Sequence, residues 1–255
     1  MDGSLLPLAL VTGAARRVGK AVALELARQG FAIGLHAHLS TREAESTAAE
    51  IADLGVPVFR FTADLTDPAQ IERMFAGVAE LSNPLRVLVN SAGIMEKGDL
   101  RELPVEAWDK TLDLNLRAPW LCARAAAKLM AARPEAAGAG PAGGSGGVII
   151  NITDSGAQKA WTSFPAYIVS KAGLEALTRL MARAFAPEVR VNAVAPGLIL
   201  PSADMPPEAW QRLVDRLPLK AAGQPEDIAR AVVFFVQNPY VTGQTLAVDG
   251  GYQLV

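Results

Sequence analysis

The chain has 255 residues, 51% of them hydrophobic and 20% charged, with 24 Lys and Arg against 26 Asp and Glu. That length can bury a substantial core in one α/β domain, and a net charge of −2 excludes a broad basic surface for nucleic acid or anionic lipid. One cysteine and two histidines exclude a disulfide framework and leave too few ligands for a Cys- or His-rich metal site.

Residues 1–10 carry neither a basic start nor a small-residue cleavage site, and their apolar run is too short to span a bilayer. A soluble, cytoplasmic protein without a membrane partner is expected. Residues 5–11 read as the first strand, followed by a turn and a helix over 20–29 that Gly30 ends. A strand over 31–36 leads to a helix over 41–54, where Ser40 and Glu43 spell a capping box. Strand 56–61, helix 67–81 and strand 85–89 come next. Residues 105–132 are helical, with a break expected at Pro119. Residues 133–147, rich in Gly and Ala, read as a flexible surface loop within one domain. Strand 148–152, helix 165–186, strand 189–195, helix 225–236 and a strand near 244–248 complete the alternation. The irregular stretch 196–224 contains a short helix bounded by Pro206 and Pro207, and residues 198–218 read as a lid over a substrate. Strand–helix alternation of this kind predicts a doubly wound, Rossmann-type parallel sheet of seven strands, with helices on both faces.

Two ends of such a sheet carry chemistry. Thr12, Gly13, Arg17, Val18 and Gly19 lie between the first strand and the first helix. There the free N–H groups and dipole of a helix N-terminus favour a pyrophosphate; the alternative is a plain turn with a solvated Arg17. An NAD-binding sheet places an acid about 20 residues further on, for the ribose. Here the second strand ends His36, His38, Leu39, Ser40, with no acid before Glu43, which favours a 2′-phosphate and hence NADP. His36 and His38 share a strand face, but no third metal ligand accompanies them. Asp64 and Leu65 after the third strand, and Asn90, Ser91, Ala92 and Gly93 after the fourth, also stand at carboxyl ends, where ligands bind.

Tyr167 and Lys171 are four apart on one helix face. An ammonium beside a phenol lowers its pKa, and the pair could protonate an alkoxide or an imine nitrogen. Asp154, 13 residues earlier and just past a strand, reads either as a partly protonated acid or as an ordinary turn residue before Ser155 and Gly156. Cys122 reads as a packed small hydrophobe.

Taken together, Thr12-Gly13 with Gly19, Asn90-Ser91-Ala92-Gly93, Asn115, Tyr167 with Lys171, Pro196-Gly197 and Asp249-Gly250-Gly251 resemble a short-chain dehydrogenase/reductase over the whole chain. The resemblance implies that Tyr167 is the acid–base, that Lys171 holds the ribose, that Asn115 relays protons, and that Pro196, Gly197 and Ile199 flank the cofactor. Within that family the chain is similar to pteridine and dihydromonapterin reductases. Arg17 stands where a glycine is usual, Asp154 where most members have Ser, and residues 204–210 resemble the substrate-loop segment of that subgroup. The implied cofactor is NADPH, and the implied substrate pocket draws on Arg17, Met95, Asp154, Trp161, Phe164, Tyr167, Leu198, Met205 and Trp210. A homotetramer is the implied assembly, with helices near 117–132 and 165–186 as candidate interfaces. Three departures stand out: Leu39 replaces an Arg, Met95 replaces a stacking aromatic, and Pro201 replaces a Thr. The readings that follow are a pteridine reductase, a carbonyl or 3-oxoacyl thioester reductase, and an NADP-binding sensor without turnover.

Overall fold

The computed structural model describes residues 5–132, 146–202 and 205–255. Seven parallel strands run in the order β3-β2-β1-β4-β5-β6-β7, as β1 (Leu8–Thr12), β2 (Ala32–Ala37), β3 (Val58–Thr62), β4 (Leu85–Asn90), β5 (Gly147–Ile152), β6 (Val189–Pro196) and β7 (Thr245–Val248). The helices are α1 (Arg17–Arg28), α2 (Thr41–Ala52), α3 (Pro68–Glu80), α4 (Val105–Leu112), α5 (Ala118–Ala131), α6 (Pro165–Ala184), α7 (Pro207–Val214) and α8 (Pro225–Gln237).

Period-two alternation in the strands explains the two-sided core. Ala9, Val11, Ile33, Leu35, Val87 and Ile150 face α1, α2 and α8. Their neighbours Leu8, Leu10, Leu88, Ile149 and Val191 face α3, α5 and α6. The order reverses between β1 and β4, which pair Thr12 with Asn90 at their carboxyl ends. The crevice at this switch point is where open α/β sheets bind ligands.

Several local expectations are corrected. α1 starts at Arg17, one turn before the predicted Lys20, and β1 starts only at Leu8. The α1 terminus closes as a Schellman turn: Gly30 at φ +85° donates to the Ala27 carbonyl, and Phe31 to Leu26. The box spelled by Ser40 and Glu43 does not form on the Ser40 side. Thr41 N–H is drawn into a tight turn on the Leu39 carbonyl, and Ser40 caps no amide with its side chain. Pro119 does not end the helix, which runs on from Val105 to Ala131; the missing Pro119 N–H is accommodated by a local change of helix type. The irregularity lies just ahead of it, in a π-helical turn at Asp113–Arg117.

Strand β5 takes in Gly147, the last residue of the predicted loop. The remainder of that loop, residues 133–145, and Asp204 of the lid lie outside the described residues, Gly146 excepted. Cys122 is fully buried, and burial pushes its thiol up to about 12. Among the described residues no helix is long and apolar enough to cross a membrane.

Candidate active site

At the cofactor end the loop after β1 is shaped by contacts too close for any side chain larger than hydrogen. Gly13 has φ +66°, and a Cβ there would lie 2.9 Å from Ala92 Cα; one on Gly19 would lie 2.2 Å from the Gly13 carbonyl oxygen. Glycine is therefore required at both positions. Thr12 is buried and joins the two halves of the crevice: its Oγ1 accepts from the Ser91 and Ala92 amides at 3.0 and 3.2 Å. Arg16, the residue before α1, offers no side-chain cap, and the first turn of α1 contains no acid. The opening amides of α1 and the side chains of Arg16 and Arg17 thus make this terminus favourable to an anion.

The end of β2 divides between interior and surface. His36 is buried, while His38 is exposed, Leu39 is 84% exposed, and Ser40 is half-buried. The His36 ring is not at the surface with His38: Nδ1 accepts from the Gly13 amide at 3.2 Å, and Nε2 lies 3.0 Å from the Ala63 carbonyl oxygen. Asp64 holds Thr66 through its amide and hydroxyl, and those bonds keep its carboxyl below the ordinary value. Leu65 is buried. Asn90, expected to face a ligand, instead turns its amide inward to Asn151 Oδ1 at 2.9 Å, and Asn151 continues to Thr178.

Arg17 has an uncommon φ of +53° for a residue with a side chain. Its guanidinium reaches the Leu200 and Pro201 carbonyls at 3.1 and 3.3 Å. It thereby ties the loop after β1 to the segment that follows β6. In that segment, Leu198 accepts from Gly223, Ile199 is buried, and Gly197 packs so close to Asp249 that a Cβ would meet its Cα at 2.6 Å.

At the chemical end, Asp154 and Tyr167 meet. The phenol donates to Asp154 Oδ2 at 2.6 Å, and the Gly156 amide donates to Oδ1 at 2.6 Å. Burial pushes the Asp154 carboxyl above its ordinary value, against the pull of both bonds and of the Lys171 charge. Burial, then the charge of Asp154 and its hydrogen bond, hold the Tyr167 phenol well above its usual range. This corrects the expectation that Lys171 lowers the phenol. Lys171 Nζ donates to the Ile152 carbonyl at 2.8 Å and lies 5.7 Å from the centre of the Tyr167 ring. Burial brings its own pKa down to about 8.

The π-helical turn presents Asn115, whose Oδ1 accepts from the Ile94 amide and whose Nδ2 donates to the Ile94 carbonyl and to Ser170 Oγ. Asn115 Oδ1 and Lys171 Nζ would lie 3.1 and 3.7 Å from a Cβ on Gly93, so the Asn90–Gly93 loop reaches the catalytic helix.

The family model described as enoyl-(acyl carrier protein) reductase matches residues 13–253. A ketoacyl reductase assigned to the granaticin polyketide synthase of Streptomyces violaceoruber is 35% identical, over all of this chain and 99% of that protein. The 3-oxoacyl-[acyl-carrier-protein] reductase FabG of Staphylococcus aureus is 33% identical, over 95% and 96%. Among solved structures, FolM alternative dihydrofolate reductase 1 from Brucella canis, complexed with NADP, superposes with a TM-score of 0.88 at 34% identity, covering 99% of this chain and 95% of that one. The chain belongs to the short-chain dehydrogenase/reductase family.

As a short-chain dehydrogenase/reductase, the protein brings Asp154, Tyr167, Lys171 and Asn115 to one end of the crevice and Gly13–Gly19 to the other. Trp161 packs over Gly156, edge-on to Phe164 at 6.3 Å and to Tyr252 at 5.9 Å. Met95 is 44% exposed, and its loop is joined to the Trp161–Phe164 turn through Gly98 N–H to the Ser163 carbonyl. Met205 and Trp210, further along the segment after β6, are half-buried.

Sequence reasoning missed three participants. The Leu200 and Pro201 carbonyls that hold Arg17 carry no side-chain signal. Tyr252 and Lys159, which stack at 3.8 Å, join the C-terminal turn to the Trp161 loop by a contact between residues 93 positions apart. Ser155 Oγ is buried next to Asp154 and has no hydrogen-bond partner among the described residues.

Proposed function

We propose that this protein is an NADPH-dependent reductase of a pteridine-like heterocycle, of the dihydropterin-to-tetrahydropterin type. The observation that carries the reading is the buried Asp154 carboxyl accepting from Tyr167 at 2.6 Å. Hydride addition to the carbon of a C=N bond must be matched by one proton at nitrogen, and a buried carboxyl behind the phenol can resupply it; a plain carbonyl reductase needs only the phenol. The NADP complex of the FolM neighbour supports the same reading.

The residues present fit a dinucleotide. The glycine cradle at Gly13 and Gly19 leaves backbone amides at an anion-favouring helix start. Arg17, Val18 and Gly19 would hold the pyrophosphate. His38, Leu39 and Ser40, with no acid at the end of β2, would receive the 2′-phosphate, and Asp64 and Leu65 would flank the adenine. Ser91–Gly93, Pro196, Gly197 and Ile199 would line the nicotinamide half, where the unpartnered Ser155 hydroxyl offers a further hydrogen bond. When bound, NADPH supplies a hydride to carbon.

This chain's residues manage the matching proton. Tyr167, kept protonated by its surroundings, gives its O–H proton to the substrate nitrogen as electron density reaches it. Asp154, whose burial favours its protonated form, replaces the proton on the phenol oxygen. Lys171, fixed by the Ile152 carbonyl, orients the ribose and limits charge build-up on the phenol. Asn115, held by both polar groups of Ile94, fixes the Gly93 loop over the reacting atoms. Arg17, Met95, Trp161, Phe164, Leu198, Met205 and Trp210 form the surrounding wall.

A second reading is a carbonyl or 3-oxoacyl thioester reductase. The exposed Met95, which offers no aromatic face, and the ketoacyl and 3-oxoacyl reductase relatives favour it. An open apolar groove of about 410 Å³ between the π-helical turn and α6, lined by Leu116, Trp120, Leu177 and Leu180, is offered as the site where a second copy packs in a homotetramer. The experiment that separates the two chemistries is an Asp154→Ser exchange. Loss of dihydropterin reduction with retained ketone reduction supports the pteridine reading; unchanged dihydropterin reduction contradicts it.

A further inference from the structure

His36 lies at the meeting of three strand ends. Its ring is 2% exposed. The Ala63 carbonyl can only accept, so Nε2 must carry the proton; the Gly13 amide can only donate, so Nδ1 must be bare. The neutral Nε2–H tautomer is therefore the one form that satisfies both neighbours. The His36 backbone carbonyl takes the next amide as well, from Ala14 at 2.9 Å. Two successive amides of the loop after β1 thus hang on one residue of β2. The grip matters because Gly13 has no slack: it sits at φ +66° against Ala92, and its carbonyl lies under Gly19 at the start of α1.

We propose that His36 is a positioning residue for the dinucleotide: it sets the Gly13–Ala14 amides, and through them the first turn of α1, without touching the cofactor itself. The inference rests on the dinucleotide reading above. It goes beyond that reading by giving the ring a tautomer-dependent task in place of a ligand contact. A second proton on the ring would set Nδ1–H against the Gly13 N–H, two donors face to face, and the loop would have to shift. Burial, assisted by the charge of nearby His38 and opposed by the Ala63 bond, lowers the His36 pKa, so the ring stays neutral at pH 7. The loosening is confined to acid. The charged or titratable groups on the surrounding elements are His38 on the β2 end, Asp64 after Ala63, Arg16 and Arg17 on the loop, and Arg42 and Glu43 at the start of α2. Of these, His38 stands where a 2′-phosphate would bind, so NAD+, which lacks that group, reads the His36 effect by itself.

The test is the dissociation constant of NADP+ and of NAD+, which lacks the 2′-phosphate, at pH 8 and pH 5.5 by titration calorimetry. It uses the intact chain and its His36→Asn and His36→Leu variants, with folding checked by circular dichroism. Asn places an oxygen acceptor where Nδ1 stands and does not titrate; Leu leaves the Gly13 amide unpaired. At pH 8, Leu should weaken both dinucleotides about tenfold, the scale of one stranded buried amide, while Asn stays within about threefold of the parent. Between pH 8 and 5.5 the parent should lose affinity for NAD+, and the Asn variant should not. In the Leu variant the loss should appear in the KM for NADPH more than in kcat. An Asn variant as acid-sensitive toward NAD+ as the parent, or a Leu variant that binds like it, overturns the role of His36. If Leu does not fold, the Asn comparison alone decides. A folded parent that binds neither dinucleotide at pH 8 overturns the cofactor reading itself, and the inference with it.

Discussion

The two ends of the crevice solve different problems with different atoms. At the cofactor end, polar side chains are spent on the protein: Thr12 on Ser91 and Ala92, His36 on Gly13 and Ala63, Asn90 on Asn151, Asp64 on Thr66. What faces outward is backbone, small residues and a helix terminus, with Arg16, Arg17 and His38 at its rim. At the chemical end, the side chains themselves carry reactive atoms, and Asp154 meets Tyr167 through oxygen 2.6 Å from oxygen. A binding surface can be built from amides whose orientation is enforced from behind. An acid–base pair needs titratable groups whose environments set where the proton rests. Substitutions at the cofactor end should therefore act on KM for the dinucleotide and on stability, and those at the chemical end on kcat.

The largest effect expected is at Tyr167. Tyr167→Phe should lower kcat by about 10³-fold with cofactor affinity retained, as loss of a positioned acid does; a drop confined to KM would erase the distinction between the two ends. Next, Asp154→Asn should lower dihydropterin reduction by about 10²-fold, since an amide cannot supply a proton. The pH dependence sharpens this. Because burial raises the Asp154 pKa, its protonated fraction grows as pH falls, so the parent's rate should climb from pH 8 toward 5 and the Asn variant's should stay flat. Gly19→Ala should destabilise the fold by about 1–3 kcal/mol, because its Cβ would fall 2.2 Å from the Gly13 carbonyl, and a thermal melt reads the loss.

The smallest effect expected concerns the link between the ends. Arg17→Met should free the Leu200–Pro201 carbonyls, speed amide exchange in residues 198–202, and leave the melting temperature within a few degrees. An unchanged exchange rate would show that Arg17 does not restrain the lid. Stability should also fall with acid on account of His36. Its folded pKa lies below the unfolded value of about 6.5, so the unfolded chain binds the proton first and stability drops as pH passes below 6.5. His36→Asn should remove that component of the acid sensitivity.

The sheet was legible because its signal is redundant: seven apolar segments, most of them followed by a helical pattern, admit few arrangements. Tyr167 and Lys171 were legible because a four-residue spacing on a helix fixes a shared face. The tautomer of His36 was not, since the residues that decide it, Gly13 and Ala63, are 23 and 27 positions away and contribute only backbone. The partner of Arg17 was hidden for the same reason, at a separation of 183 or 184 residues. Asn115 could be named from the resemblance, yet the π-helical turn that presents it has no composition of its own. Pro119 pointed to a break there, and the helix continued through it with only the turn ahead of it changed to π type. Ser40 and Glu43 had the spelling of a box, but the Ser40 side chain accepts from no amide of the helix start. The Tyr167 pKa went against the pairwise reading because burial of the phenol itself, and then the charge of Asp154 13 residues upstream, push it up.

The most direct test of the central claim is NADPH oxidation with 7,8-dihydrobiopterin, beside an acetoacetyl thioester and an aromatic ketone, at pH 5 and pH 7. The account predicts turnover of the dihydropterin, faster at pH 5, and its loss in Asp154→Ala. Turnover of the thioester or ketone alone, with Asp154→Ala unimpaired, would contradict it and leave Asp154 as a buried turn residue in a carbonyl reductase.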